Sequence, residues 1–391
     1  MFSKRTHWKL TPNRFTEVQR ELRARGREVV DLTVSNPTRA GLRYDADAIL
    51  NSLSNREAMD YDPQPKGLDR ARKAVGAYYR EQHCASEIDP EALILTTSTS
   101  EGYSYVLRLL CNPDDEILVP KPSYPLFAFL ADLQDVRLTA YPLLYDHGWQ
   151  IDFPSLSRAV NSRTRAVVVV HPNNPTGSYI SEGERTQLNA FCREHGIALI
   201  VDEVFLDYPH DGVRRPSFVR NPEILTFTLS GASKISGLPQ MKLAWVAVSG
   251  PAEVVSAAMG RLEVIADTYL SMNAPIQLAA ATLLGQRKNI QPLLLDRVRM
   301  NLVELDRQLA EQKASQRLQV EGGWYAVLRV PATRTDEDLA IDLLHRASVL
   351  VHPGHFYDFP SDGYLILSLL TVPGEFREGT RRIFELLNHG Q

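Results

Sequence analysis

Lys234 stands among small and hydroxylic residues, Ser230, Gly231, Ala232, Ser233, Ser236 and Gly237, between apolar runs at 225–229 and 243–248. An amine becomes a nucleophile when partial desolvation or a nearby cation lowers its pKa, and small neighbours let a ligand approach the backbone. A Gly/Ser-rich loop can equally carry a solvated surface lysine, so this segment alone leaves both readings open. Three further stretches bear on the choice. Thr97, Ser98, Thr99 and Ser100 offer hydroxyls and free N–H groups at the start of a helix, a ready phosphate cradle. Asn173 and Asn174, followed by Pro175, Thr176 and Gly177, offer amides, and Asp202 offers a carboxylate at the end of the run 197–201.

The elements that must position these groups are strands and helices in alternation. The runs 167–170 and 197–201 are continuously apolar, as expected of parallel strands buried on both faces. Between them Ser181 and Glu184 have the spacing of a capping box and Gly196 that of a helix stop. Strands at 93–96 and 116–119 and helices at 100–111 and 124–133 extend the pattern, which implies an α/β domain with a mostly parallel central sheet flanked by helices. Near the N-terminus the spacing predicts a helix from Phe15 toward Gly26 and a short strand at 29–32. Beyond Pro275 a long helical stretch runs to Gln312 with a break near Gln291 and Pro292. Strands at 324–330, 349–351 and 364–370 and helices at 335–346 and 373–388 then suggest a smaller α+β domain. The expected division is an N-terminal segment 1–45 belonging to the small domain, a large cofactor-binding domain 46–285 and a small C-terminal domain 286–391.

In an open α/β sheet ligands bind outside the carboxyl ends of the strands. Strand ends that together offer a phosphate cradle, an amide, a carboxylate and a lysine describe a pyridoxal phosphate site. There the lysine forms the Schiff base and the carboxylate keeps the pyridine nitrogen protonated, so that the ring can accept electrons.

Composition fits an ordinary soluble globular protein. The 391 residues are 44% hydrophobic and 23% charged, with a net charge of −4, which gives no reason to expect a nucleic-acid or membrane partner. Cys84, Cys111 and Cys192 show no paired spacing, so a reducing cytoplasmic compartment is the simplest reading. The N-terminus lacks the apolar core of a secretory signal, and no apolar run is long enough to span a bilayer. His352 with His355, and Cys192 with His195, lack a third ligand at useful spacing, so no metal site is expected.

Over nearly its whole length the chain resembles the fold-type I pyridoxal-phosphate enzymes of the class I/II aminotransferase group. The resemblance implies a small-molecule amino acid and a 2-oxo acid as substrates and a homodimer with shared active sites. It makes Lys234 the Schiff-base lysine, Asp202 the partner of the pyridine nitrogen, Asn174 a donor to the ring oxygen and Tyr124 the aromatic stacked on the ring. Ser98, Thr99 and Ser100 match the phosphate loop, and Tyr61 the tyrosine that reaches a phosphate in the other subunit. Asn36, Arg39, Asn174 and Tyr325 are the substrate-side residues it suggests.

The chain departs from that pattern at four positions. Lys242 stands where an arginine usually meets the phosphate, which keeps the charge and loses the bidentate fork. Gly231 replaces a hydroxyl residue, leaving Ser230, Ser233 or Ser236 to supply that contact, and Ser233 is expected to bind the cofactor. Phe205 replaces a tyrosine that donates to the ring oxygen. Ile366 occupies the place of the arginine that grips the substrate carboxylate, with Arg39 the nearest replacement and Arg377 the alternative if the strand register is shifted. An aminotransferase is expected. A lyase, racemase or decarboxylase on the same anchors is the alternative, and a silent regulatory protein would be expected to lack Lys234 or Asp202.

Overall fold

The computed structural model describes residues 1–83 and 88–389; Cys84 lies outside them. The chain opens with α1 (Arg14–Ala24), capped by the Asn13 side chain, then β1 (Val30–Asp31), α2 (Ala46–Ser52) and α3 (Asp69–Gln82). β2 (Leu93–Thr96), α4 (Thr99–Leu110), β3 (Glu116–Lys121) and α5 (Phe127–Leu133) follow. Next come β4 (Arg137–Tyr145), β5 (Trp149–Ile151), α6 (Phe153–Ala159), β6 (Thr164–Val170), α7 (Glu182–His195) and β7 (Ala198–Asp202). β8 (Thr226–Gly231), the single turn α8 (Ala232–Ile235), β9 (Ala244–Ser249), α9 (Ala252–Asp267) and α10 (Ala274–Gly285) complete the first half.

Strands β2 to β9 form one eight-stranded sheet in the order β2-β9-β8-β7-β6-β3-β4-β5. The run β8-β7-β6-β3-β4 is parallel, whereas β9 is antiparallel to both β8 and β2, and β5 to β4. Successive residues of a strand face opposite sides of its sheet, and the core follows that rule. Ala198 and Ile200 pack with Tyr103 and Val106 of α4 and Leu262 of α9, while Leu199 and Val201 pack with Leu188 and Phe191 of α7. Helix α7 carries the expected capping box between Ser181 and Glu184 and stops at Gly196 in the left-handed region, φ 63°.

The long α11 (Arg287–Ala310) leads into β10 (Gln316–Arg317), β11 (Tyr325–Arg329), α12 (Asp336–Asp342), β12 (Val349–Leu350), β13 (His352–Pro353), β14 (Tyr364–Ser368) and α13 (Pro373–His389). β10, β11, β14 and β13 make a four-stranded antiparallel sheet, and β1 pairs parallel with β12. One core joins Phe15 and Leu22 of α1, Leu294 and Val298 of α11 and Phe376 and Ile383 of α13. The helical stretch after Pro275 breaks at Gln286, not near Pro292, which lies inside α11. Pro292 is on the exposed face, where water can satisfy the Lys288 carbonyl that loses its helical partner, and Ile290, Leu294 and Val298 hold the helix to the core. Among the described residues no helix is long and apolar enough to cross a membrane.

The two sheets approach closely at one loop. Gly177 has φ +70°, and a Cβ there would lie 2.4 Å from the Gly322 carbonyl oxygen, just before β11. Gly322 and Glu321 in turn donate their N–H groups to the Gly177 carbonyl. Only glycine fits this conformation and spacing.

Candidate active site

A cavity of ≈ 200 Å³ opens at the carboxyl ends of the parallel strands, between the two sheets. It is lined by Lys234, Asp202, Asn174, Tyr124, Thr99, Ser100 and Ser233 from the large sheet's connections and by Ser35 and Tyr325 from the other side. Among the described residues Lys234 is its one cationic lining residue.

Lys234 lies in α8, which turns immediately out of β8. Its carbonyl accepts a hydrogen bond from the Tyr208 hydroxyl at 2.6 Å, and the next carbonyl, of Ile235, accepts one from Gln291 at 2.9 Å. The backbone is thus held while the side chain is free. Nζ stands 4.8 Å from the centre of the Trp324 ring and 5.3 Å from that of Phe205. Burial lowers the amine's pKa to about 8, opposed by the charge of Asp202. Gly231 has no room for a side chain: a Cβ would lie 2.9 Å from both Ala244 Cβ and the Leu243 carbonyl oxygen. Of the hydroxyls left to replace one there, Ser233 lines the cavity, Ser230 points to the Glu203 carbonyl and Ser236 is buried without a partner.

Asp202 ends β7 and shares the parity of Ala198 and Ile200, so its carboxylate faces α4. Oδ1 accepts the Val204 N–H at 3.1 Å, and Oδ2 accepts the Tyr103 hydroxyl at 3.2 Å. Burial raises its pKa to about 6, with both hydrogen bonds and Lys234 pulling the other way. Burial therefore brings an acid and an amine toward one another on the pH scale, as functional sites do. The next residue, Glu203, faces away: it accepts from Ser217 at 2.6 Å and from the Phe218 N–H at 2.7 Å, and burial lifts it to about 7.

Thr99 and Ser100 form the first turn of α4, whose N-terminal N–H groups and dipole favour an anion. Ser98 is the N-cap of that helix, and its hydroxyl accepts the Glu101 N–H at 3.2 Å. Asn174 is buried, and its side-chain oxygen has no hydrogen-bond partner among the described residues. Tyr124 is partly exposed at the cavity mouth. A helix-start anion cradle, an aromatic wall, an unpaired amide, a carboxylate and a desolvated amine around one cavity fit pyridoxal phosphate.

Other residues expected at the site lie outside the lining. Lys242 is exposed in a left-handed conformation, φ 52°. Asn36 caps a short turn by accepting from Thr38, and Arg39 in that turn is exposed. Tyr61 is 84% exposed and borders a separate hollow of ≈ 250 Å³. Ile366 is buried on β14, on the same sheet face as Tyr325, and pairs in register with Val327 and His352. Arg377 is on the outer face of α13 beside Glu304. His352 contacts the Tyr357 hydroxyl at 3.2 Å. Tyr103 was legible only as a helix residue, although its position four after Thr99 places both on one helix face. Trp324 lies in the core of the smaller sheet and also faces Lys234.

Residues 27–369 match the family described as aminotransferase class I and II. The chain is 29% identical over 363 residues to alanine aminotransferase of Mycobacterium tuberculosis, covering 90% of this chain and 83% of that protein. It is 26% identical over 377 residues to glutamate-pyruvate aminotransferase of Haemophilus influenzae, covering 94% and 92%. In fold it is similar to the solved alanine aminotransferase of Pyrococcus furiosus, with a TM-score of 0.90 over the full length of both chains at 22% identity.

Proposed function

The chain belongs to the class I and II aminotransferase family and is a pyridoxal-phosphate-dependent aminotransferase, and from that premise we propose that Lys234 carries the cofactor and is the base of the reaction. The observation that supports this most directly is the placement of Lys234 and Asp202 on one cavity, with the amine lowered to about 8. Bound pyridoxal phosphate supplies an aldehyde that carries the amino group between an amino acid and a 2-oxo acid, and an electron sink that acidifies the substrate α-proton.

The protein's own groups do the rest. Lys234 Nζ, its pKa lowered by burial to about 8, would take and return the substrate α-proton. Asp202, raised by burial only to about 6, would pair with the ring nitrogen and keep its proton in place. The N–H groups and hydroxyls of Thr99 and Ser100 would hold the phosphate, Tyr124 would pack against the ring and Asn174 would bond its oxygen. Lys242 and Ser98 are secondary members of this set, one exposed and one already capping α4.

The active unit we propose is a homodimer in the cytoplasm, with 1–45 and 286–391 forming the small domain and 46–285 the large one. The exposed Tyr61 supports a site completed by a second subunit. The relatives' names make alanine with 2-oxoglutarate and glutamate with pyruvate the first pairs to test. Borohydride reduction of the holoenzyme followed by peptide mapping should label Lys234, and each donor should release its 2-oxo acid in a single half-turnover. Label on another lysine would overturn the assignment.

A further inference from the structure

Helix α4 reaches the site twice. Its first turn supplies Thr99 and Ser100, and one turn later Tyr103, 4% exposed, donates its hydroxyl to Asp202 Oδ2. The contact depends on how closely α4 lies on the sheet. A Cβ on Gly102 would be 2.9 Å from Val246 Cγ2 and 3.1 Å from Leu229 Cδ2, so a larger residue there would lift the helix. The Tyr103 ring is fixed edge-on to Phe127 of α5, with centroids 5.4 Å apart. Its hydroxyl is therefore held at the carboxylate by packing on two sides.

Resting on the reading of Asp202 as partner of the ring nitrogen, we propose that Tyr103 is a positioning residue that keeps Asp202 ionised and the shared proton on the nitrogen. The Val204 N–H fixes one carboxylate oxygen and the Tyr103 hydroxyl stabilises charge on the other. Both make Asp202 a weaker base, so the proton between carboxylate and pyridine stays on the ring side. Without the hydroxyl the carboxylate becomes more basic and draws that proton toward itself. The titratable groups facing Asp202 are Tyr103 from α4, Lys234 from α8 and Tyr124 after β3, all on the same cavity. The Glu203 carboxylate is turned to Ser217 and Phe218.

The test compares wild type, Tyr103→Phe and Tyr141→Phe, each loaded with pyridoxal phosphate carrying 15N in the ring. Tyr141 is a control, since its equally buried hydroxyl bonds the Val168 carbonyl at 2.7 Å, away from Asp202. In Tyr103→Phe the ring-nitrogen resonance at neutral pH should move from the pyridinium position toward free pyridine. The pH below which cofactor affinity falls should rise by about one unit, as expected of one hydrogen bond to a carboxylate. Tyr141→Phe should match wild type in both. If Tyr103→Phe does not fold, 3-fluorotyrosine at 103, a stronger donor of the same shape, should move the acid threshold downward instead. Unchanged resonance and threshold, or an equal shift in Tyr141→Phe, would overturn the proposal. A wild-type ring nitrogen resonating as free pyridine would instead overturn the assignment of Asp202, and this proposal with it.

Discussion

Lys234 Nζ stands 4.8 Å above the ring of Trp324, a residue 90 positions later that belongs to the smaller sheet's core. The buried amine just beyond β8 of the large sheet is thus roofed by an aromatic from the core of the smaller sheet. The ring faces attract the protonated amine while burial disfavours it, and with the pKa at about 8 burial prevails.

The first prediction follows from that balance. The neutral amine is the nucleophile, so capture of pyridoxal phosphate by the apoenzyme should accelerate as pH rises and level off past about 8. A free lysine would keep gaining to about 10.4. Trp324→Leu removes one attraction for the cation and should shift the inflection lower. Stopped-flow absorbance measures both, and an inflection near the free-lysine value would contradict the burial argument.

A second prediction concerns Tyr61, whose ring is exposed in the single chain. Mixing Tyr61→Phe with Lys234→Ala subunits should give hybrids more active than either parent, because one of the two shared sites then carries both defects and the other neither. Verified hybrids with no recovery would argue against a site completed in trans.

Glu203 supplies a stability test. Its folded pKa is raised to about 7, so its neutral form is favoured in the folded state. Between about 4.5 and 7 the unfolded chain ionises there while the folded chain does not, and stability is lost as pH rises. The slope from this one group is at most about 1.4 kcal/mol per pH unit. Glu203→Gln should abolish that part of the slope. The stability difference between the two proteins, followed by denaturant unfolding across this range, should therefore drift with pH and become flat above about 7. A constant difference would refute the shift.

The last concerns the substrate carboxylate. With Lys234 the one cation lining the cavity among the described residues, the side-chain hydroxyls there on the small-sheet side are those of Tyr325 and Ser35. Tyr325→Phe should raise the apparent donor constant about tenfold, the effect of one charge-assisted hydrogen bond. Arg39→Ala, at an exposed turn outside the lining, should change it less than about twofold, the range of an exposed charge. Steady-state kinetics with several donors decide, and the reverse ranking would move the clamp to Arg39.

The chemical groups and the strand ends that carry them are legible in the chain without any contact. Buried strands such as 198–202, the capping box at Ser181 and Glu184 and the hydroxyl run before α4 are local patterns, written in neighbouring residues. Lys234, Asp202, Asn174 and Thr99 could therefore be named before any contact was known. Tertiary structure alone decided which groups meet. Asp202 faces Tyr103 because strand parity turns it toward α4, and Tyr103 reaches it because Gly102 lets that helix settle on Val246 and Leu229. Trp324 roofs Lys234 because Gly177 admits the loop at Gly322. The helix break fell at Gln286 because the packed face of α11 outweighs one exposed proline. Each outcome rests on packing between residues far apart in the chain, for which local periodicity has no term.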